Sequence, residues 1–142
     1  MAAHPFTIHN YRAYWIARLA SNLAGLSMVV VIGWQVYDIA RQTMGVRQAA
    51  LQLGLVGLAQ FLPLLILSLV AGWVADRIDR RWIIRGALAL ELGCAATLAW
   101  LTASDAIALP ALFGIAALLA AARAFVGPAQ SALSPNLVPA AL

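Results

Sequence analysis

Two charged residues, Glu91 and Arg123, lie inside long apolar segments of this chain. A lone charge at the centre of a bilayer costs about 2.5–3.5 kcal/mol on insertion scales, so each side chain is expected to face protein or water. One functional hypothesis is a charge pair that carries a proton or faces a substrate. The alternative is a structural salt bridge that joins two helices.

The depths of these two residues favour a pair. Glu91 is about nine residues from the start of its predicted helix and Arg123 is about nine residues from the end of the next, so at about 1.5 Å per residue both lie roughly 13 Å inside the membrane. Antiparallel neighbouring helices would bring the two side chains within reach of each other.

A second group of charges occupies Gly72–Arg81, which reads Gly-Trp-Val-Ala-Asp-Arg-Ile-Asp-Arg-Arg between two apolar segments. Asp76 is predicted at the C-terminal end of a helix, where the helix dipole disfavours a carboxylate unless a cation or the N-terminus of another helix faces it. Arg80 follows four residues later and could pair with Asp76 if the helix continues. A solvated turn is the alternative reading.

The composition identifies the elements that must position these charges. The 142 residues are 64% hydrophobic and 10% charged, with a mean hydropathy of +0.90. Soluble domains are about a quarter charged, so this is a membrane protein whose main partner is the lipid bilayer. The net charge of +4 comes from arginines that flank the apolar segments. It therefore indicates membrane topology and not nucleic-acid binding.

No residue pattern indicates an enzyme, a metal site or a cofactor. The single cysteine, Cys94, lies in an apolar segment and excludes both an intramolecular disulfide and a CxxC metal motif. His4 and His9 have no metal-ligand spacing with acidic or thiol neighbours. Membrane enzymes need acidic or histidine clusters to bind a metal or to activate water, and this sequence has none.

The sequence predicts an all-α membrane protein with four transmembrane helices. The predicted ranges are roughly 16–38, 49–75, 82–103 and 107–132, with a charged loop over 72–85. With the N-terminus inside, six arginines fall on the inner side and two, Arg41 and Arg47, on the outer side. This asymmetry favours both termini in the cytoplasm. We expect the protein in the cytoplasmic (inner) membrane.

The charged segment resembles the loop between helices two and three of major facilitator superfamily transporters, whose usual form is G-x-x-x-D-R-x-G-R-R/K. Arg123 to Gly127 is similar to a second, weaker signature of that family, in which the arginine of helix four faces a central cavity. Further stretches look like the enterobactin-exporter and macrolide-efflux type of the superfamily: Phe6–Trp15, Gly33–Asp38, Gly54–Pro63 and Ser134–Pro139.

The resemblance implies a gating motif made of Gly72, Asp76, Arg77, Arg80 and Arg81. In the family the matching aspartate contacts the N-terminal end of a helix in the other half of the protein, and breaking that contact opens the cytoplasmic side. Two features depart from the family pattern. The usual glycine is Asp79 here, which makes the turn less permissive and adds a negative charge. The segment Arg41–Leu51 is longer and more polar than a typical family turn.

Other polar and helix-breaking residues are candidates for a cavity or for helix packing. Gln130 follows Arg123 by seven residues and shares its helix face, with Gly127 and Pro128 between them. Asn22 could line a cavity, although a hydrogen bond to a neighbouring helix is favoured. Ser21 and Gly25 have the four-residue spacing of small residues that lets membrane helices approach closely.

The resemblance implies a secondary-active antiporter, driven by protons, for efflux of a small drug-like or siderophore-like molecule. Family members have twelve helices, and the four here match the first four. We therefore expect an N-terminal fragment, inactive without the missing C-terminal helices or a partner chain that carries them. The alternative is a non-transporting four-helix membrane protein that assembles with itself or with a partner.

Overall fold

The computed structural model describes residues 9–133, with the side chains at 9–11, 13, 14, 75, 80 and 127–133 outside that description. This range folds into four α-helices: α1 (His9–Thr43), α2 (Val46–Arg77), α3 (Arg80–Ala103) and α4 (Leu109–Leu133). Each of them contains a segment long and apolar enough to cross a membrane. The predicted all-α membrane fold with four spanning helices is confirmed.

The helices are mostly longer than the apolar runs that predicted them. α1 extends past the predicted 16–38 at both ends, and the predicted loop Arg41–Leu51 shrinks to Met44 and Gly45. An apolar run marks only the part of a helix that lies in hydrocarbon. Arg41 and Gln42 are good helix formers, so α1 continues through them. Gly45 then has an extended backbone (φ −68°, ψ 163°) and caps α2.

The predicted loop over 72–85 is also mostly helical. Only Ile78 and Asp79 separate α2 from α3. The Ile78 N–H donates to the Val74 carbonyl at 3.0 Å, which closes the last turn of α2. The Asp79 carboxylate then accepts from the backbone N–H of Arg81 at 3.0 Å, an N-cap that starts α3 at once. We call the end of the bundle that holds this connection the motif end.

The connection from α3 to α4 is a helix-terminating turn with a left-handed residue. Asp105 has φ 53°. The N–H of Asp105 donates to the Thr102 carbonyl at 3.3 Å, and the N–H of Ala106 donates to the Leu101 carbonyl at 3.1 Å. These two bonds are those of a Schellman motif, in which glycine is the usual residue at the left-handed position.

α4 is the central helix of the described bundle. It packs against both α2 and α3, whereas α1 packs mainly against α2 and touches α4 less extensively. Of the α4 span, 39% is buried inside the protein, compared with 6–17% for the other three. Its many alanines explain this position, since small side chains let membrane helices approach closely. Most large apolar side chains of α1 and α2 are instead exposed, as lipid-facing surfaces are.

Candidate functional site

The bundle has two separate apolar clusters, and the intramembrane charges lie next to them. The larger cluster lies toward the end opposite the motif end: Ile32, Val36, Val56, Cys94, Leu98, Leu112, Ile115, Ala116 and Leu119. The smaller one lies toward the motif end: Ala87, Ala122 and Val126. Along α3, Glu91 lies one turn from Ala87 and about one turn from Cys94. On α4, Arg123 is one turn from Leu119 of the larger cluster and stands between Ala122 and Val126 of the smaller one, so the charges lie beside both clusters.

The structure brings Glu91 and Arg123 together across α3 and α4. Nε of Arg123 lies 3.8 Å from Oε1 of Glu91, and the two side chains are 28% and 15% exposed, respectively. A tight arginine–carboxylate pair has N–O distances of about 2.7–2.9 Å and often two parallel hydrogen bonds. The contact is therefore a loose ion pair: the charges attract each other, but their hydrogen-bonding capacity is not used up between them.

Gly25 of α1 lies directly against the guanidinium group of Arg123. A Cβ atom built on Gly25 would overlap Nη2 of Arg123 and would lie 2.9 Å from Cζ and 3.0 Å from Nε. The absence of a side chain at Gly25 is what allows α1 to approach the charge pair. Sequence analysis identified Gly25 as a small packing residue, but the contact with Arg123 depends on how the two helices are rotated.

A cavity of about 360 Å³ lies between α1 and α3 and reaches Glu91. The α1 side of this cavity is made of small residues, including Ser21 and Gly25, and the α3 side contributes Leu88, Glu91 and Leu92. The walls are thus mostly apolar, with the carboxylate as the charged group among them.

A second cavity, of about 230 Å³, lies between α2 and α4 and reaches Arg123. Gln60 of α2 also lines it, together with apolar residues such as Phe61, Leu64 and Leu119. Sequence analysis did not single out Gln60. The sequence does contain a sign of its importance. Its carboxamide lies in the middle of the longest uncharged run, where an unpaired polar group is costly in lipid.

Three charged residues of the motif, Asp76, Arg77 and Arg81, lie exposed at the ends of two helices. Asp76 and Arg77 end α2, and Arg81 is in the first turn of α3. The guanidinium carbon of Arg77 lies 4.0 Å from the ring centre of Trp73, a cation–π contact within one helix turn. Gly72 has open space around it, since a Cβ there would meet no atom within 4 Å.

The helix break at Ile78 answers the question of whether Asp76 and Arg80 share one helix. They do not, since Arg80 begins α3, and the side chain of Arg80 lies outside the described residues. No described side chain lies within ion-pair distance of Asp76. Asp79 has a negative φ of −56°, so this position does not require glycine. Its carboxylate serves as a helix cap, which gives the departure from the family pattern a local function.

Two other arginine–tryptophan contacts lie near the motif end. Arg18 lies 6.0 Å from the ring centre of Trp15 on α1, and Arg85 lies 5.4 Å from that of Trp82 on α3. All three tryptophans in these contacts are exposed. Exposed indoles and arginines suit the boundary between lipid tails and headgroups.

The remaining predicted site residues are not brought to the charge pair by described contacts. Asn22 is exposed on α1 and lines neither of the two cavities. Gly127, Pro128 and Gln130 lie on α4, but their side chains fall outside the described residues. Within residues 9–133, no group of three or more His, Cys, Asp or Glu side chains is arranged to hold a metal ion.

A polar contact that sequence analysis did not predict joins α1 to α3 at the opposite end of the bundle. Nε2 of Gln35 donates to the Thr102 hydroxyl at 2.9 Å. The Thr102 hydroxyl donates in turn to the Leu98 carbonyl at 2.8 Å. Oε1 of Gln35 is buried and has no partner among the described groups. This bond joins α1 to α3 at that end.

These features define a multi-pass membrane protein with a half-buried charge pair between its helices and a charged turn at one end. A family model for transmembrane secretion effectors, of the major facilitator type, matches residues 1–141. The chain belongs to this family, whose members are transporters and not enzymes. No curated protein and no solved structure matches the chain.

Proposed function

We propose that this protein acts in secondary-active export of a small molecule, driven by protons, in the cytoplasmic membrane with both termini in the cytoplasm. Family membership supports the transporter class. The export direction and a drug-like or siderophore-like cargo rest on the resemblance of the sequence to the enterobactin-exporter and macrolide-efflux type.

Proton coupling is supported by one observation. Glu91 and Arg123 form a loose ion pair, and each of them lines one of two cavities. A carboxyl group in the membrane can be either charged and paired or protonated and neutral. Binding of a proton to Glu91 would remove the attraction that holds Arg123. Because the pair joins α3 to α4, such a release would change the contact between these two helices.

We also propose that Gly72, Asp76, Arg77, Arg80 and Arg81 form the cytoplasmic gate. Asp76 lies at the negative end of the α2 dipole, where the N-terminus of another helix would stabilise its carboxylate. That helix would come from further C-terminal helices of the family fold or from a partner chain. The large exposed apolar face of α2, including Leu69 and Ile66, offers such helices a surface that lipid otherwise covers.

A transport assay with matched variants tests the proposal. The gene is expressed in its complete native reading frame in a bacterial host that lacks its major efflux pumps. Accumulation of ethidium, erythromycin and the anionic dye fluorescein is then measured with and without a protonophore. We expect the wild-type protein to lower accumulation of at least one compound severalfold, and the protonophore or Glu91→Gln to abolish this effect.

Asp38→Asn is the matched control, because Asp38 is an exposed carboxylate near the opposite end of α1. It should export normally. Export by Glu91→Gln at the wild-type rate would refute a proton-carrying role for Glu91. Export that continues after the proton gradient is collapsed would refute proton coupling altogether.

A further inference from the structure

The cavity between α2 and α4 combines one cationic and one neutral polar side chain with apolar walls. Arg123 and Gln60 supply the polar groups, and Phe61, Leu64 and Leu119 supply most of the apolar surface. Its volume of about 230 Å³ is large enough for a small organic molecule. The carboxylate of Glu91 does not line this cavity; it lines the separate cavity between α1 and α3.

The polar groups of this cavity have unused hydrogen-bonding capacity. A guanidinium has five N–H donors, and the nearest described carboxylate oxygen lies 3.8 Å from Nε of Arg123, beyond hydrogen-bond distance. No hydrogen bond joins the side chain of Arg123 or of Gln60 to another described residue. Donors left unfilled in a membrane interior are costly. A ligand that brings oxygen acceptors would fill them.

We propose that this cavity binds the carboxylate group of a small organic anion with an apolar or aromatic body. The two oxygens of a carboxylate match the planar fork of a guanidinium. The carboxamide of Gln60 can donate to the same oxygens, while Phe61, Leu64 and Leu119 contact the apolar body. A cationic ligand is disfavoured, because it would meet the charge of Arg123 at close range. The proposal assigns a substrate class to the cavity. Binding of the anion stands by itself, and only transport of the bound anion rests on the proposed function.

Glu91 competes with such an anion for Arg123. Oε1 of Glu91 lies 3.8 Å from Nε of Arg123, and an anion in the α2–α4 cavity would meet the side chain of the same arginine. Removal of the charge on Glu91 therefore frees the guanidinium for the ligand. Glu91→Gln should therefore strengthen binding of the anion. If the salt bridge were purely structural, the same change would leave anion binding unchanged, or would weaken it because the protein misfolds.

Binding to the purified full chain in phosphatidylcholine nanodiscs tests the inference. The probes are benzoate, its neutral isostere benzamide and the cation benzylamine, each titrated by calorimetry. We expect benzoate to bind at least about tenfold more tightly than benzamide, because a charge-assisted hydrogen bond contributes that much. Benzylamine should not bind. If benzoate and benzamide bound equally, or if benzoate did not bind, the cavity would not be an anion site. Water would then be its occupant.

Variants place the binding at this cavity. Arg123→Gln should weaken benzoate binding about tenfold or more, and Gln60→Leu severalfold. Arg85→Gln and Gln48→Leu are the matched controls, since these exposed residues are of the same types and lie outside this cavity; both should bind like wild type. Arg123→Lys keeps the charge in case Arg123→Gln does not fold, and it should lose affinity because an ammonium cannot bind two oxygens in parallel.

The result for Glu91→Gln separates this inference from the proposed function. Tighter benzoate binding together with loss of proton-driven export supports both. Tighter binding with normal export supports the anion site and contradicts proton coupling through Glu91. Binding that is unaffected by Arg123→Gln and Arg123→Lys contradicts the anion site, whatever the transport assay gives.

Discussion

Gly25 of α1 lies against the guanidinium group of Arg123, so close that a Cβ on Gly25 would lie 2.9 Å from Cζ. This contact makes the candidate site a three-helix arrangement, because Arg123 on α4 meets Glu91 on α3 and the bare backbone of α1. α1 therefore limits the positions open to the guanidinium.

Gly25→Ala is expected to disturb function more than stability. The group that the new methyl meets is the far end of a flexible side chain, which can move, and alanine gains up to about 1 kcal/mol of helix propensity over glycine. We expect the free energy of unfolding in detergent to change by less than about 1 kcal/mol, while proton-driven export falls severalfold. Gly54→Ala, where a Cβ would meet nothing within 4 Å, is the control and should retain full export.

A double-mutant cycle measures the coupling of Glu91 with Arg123. Each single change to glutamine leaves one charge unpaired in the membrane and should cost up to about 2.5–3.5 kcal/mol. The double variant removes both charges and should be less destabilised than the sum of the singles, by about 0.5–3 kcal/mol. The measurement is reversible unfolding in mixed micelles. Strict additivity, as we expect for the distant pair Asp38→Asn and Arg81→Gln, would show that the 3.8 Å contact has no energetic weight.

The cap formed by Asp79 is expected to stabilise the start of α3. Asp79→Ala removes the acceptor for the Arg81 N–H and should cost about 1 kcal/mol, whereas Asp79→Ser keeps an acceptor and Asp79→Gly should cost only a few tenths. Thermal unfolding in one detergent ranks the three variants. If alanine and serine were equally stable, the 3.0 Å bond from Arg81 would not contribute to stability.

The left-handed backbone at Asp105 makes this position sensitive to residue type. With φ 53°, Asp105→Gly should raise the free energy of unfolding by about 1 kcal/mol, and Asp105→Val should lower it by about 1–2 kcal/mol. Asp38→Gly, at a position inside α1, should instead destabilise the protein. A gain in stability at both positions would mean that the backbone of Asp105 is not the cause.

The orientation predicted by the arginine count can be tested with single cysteines in a Cys94→Ala background. Ser104→Cys and Arg81→Cys place thiols at exposed positions near opposite ends of α3. A membrane-impermeant maleimide should label the cysteine at position 104 in intact cells and the one at position 81 only after the membrane is opened. The reverse pattern would place the motif end outside the cell.

Several features could be predicted from the sequence because their physical causes are local. A spanning helix satisfies its own backbone groups, so apolar length alone marks α1 to α4. The similar depth of Glu91 and Arg123 follows from counting residues along two adjacent antiparallel helices. Helix ends were less predictable, since polar helix formers such as Arg41 carry a helix beyond the lipid and a capping side chain such as Asp79 can replace a longer loop.

The sequence by itself determined that four helices are long and apolar enough to cross a membrane, and it predicted that Glu91 and Arg123 come within reach of each other. Only the tertiary structure decided that α4 is central, that Gly25 meets Arg123, and that Gln60 shares a cavity with it. These relationships depend on how each helix is rotated about its axis. Lipid and protein neighbours are about equally apolar, so the hydrophobic effect does not select which face turns inward. Close packing between small residues makes that choice, and it involves several helices at once.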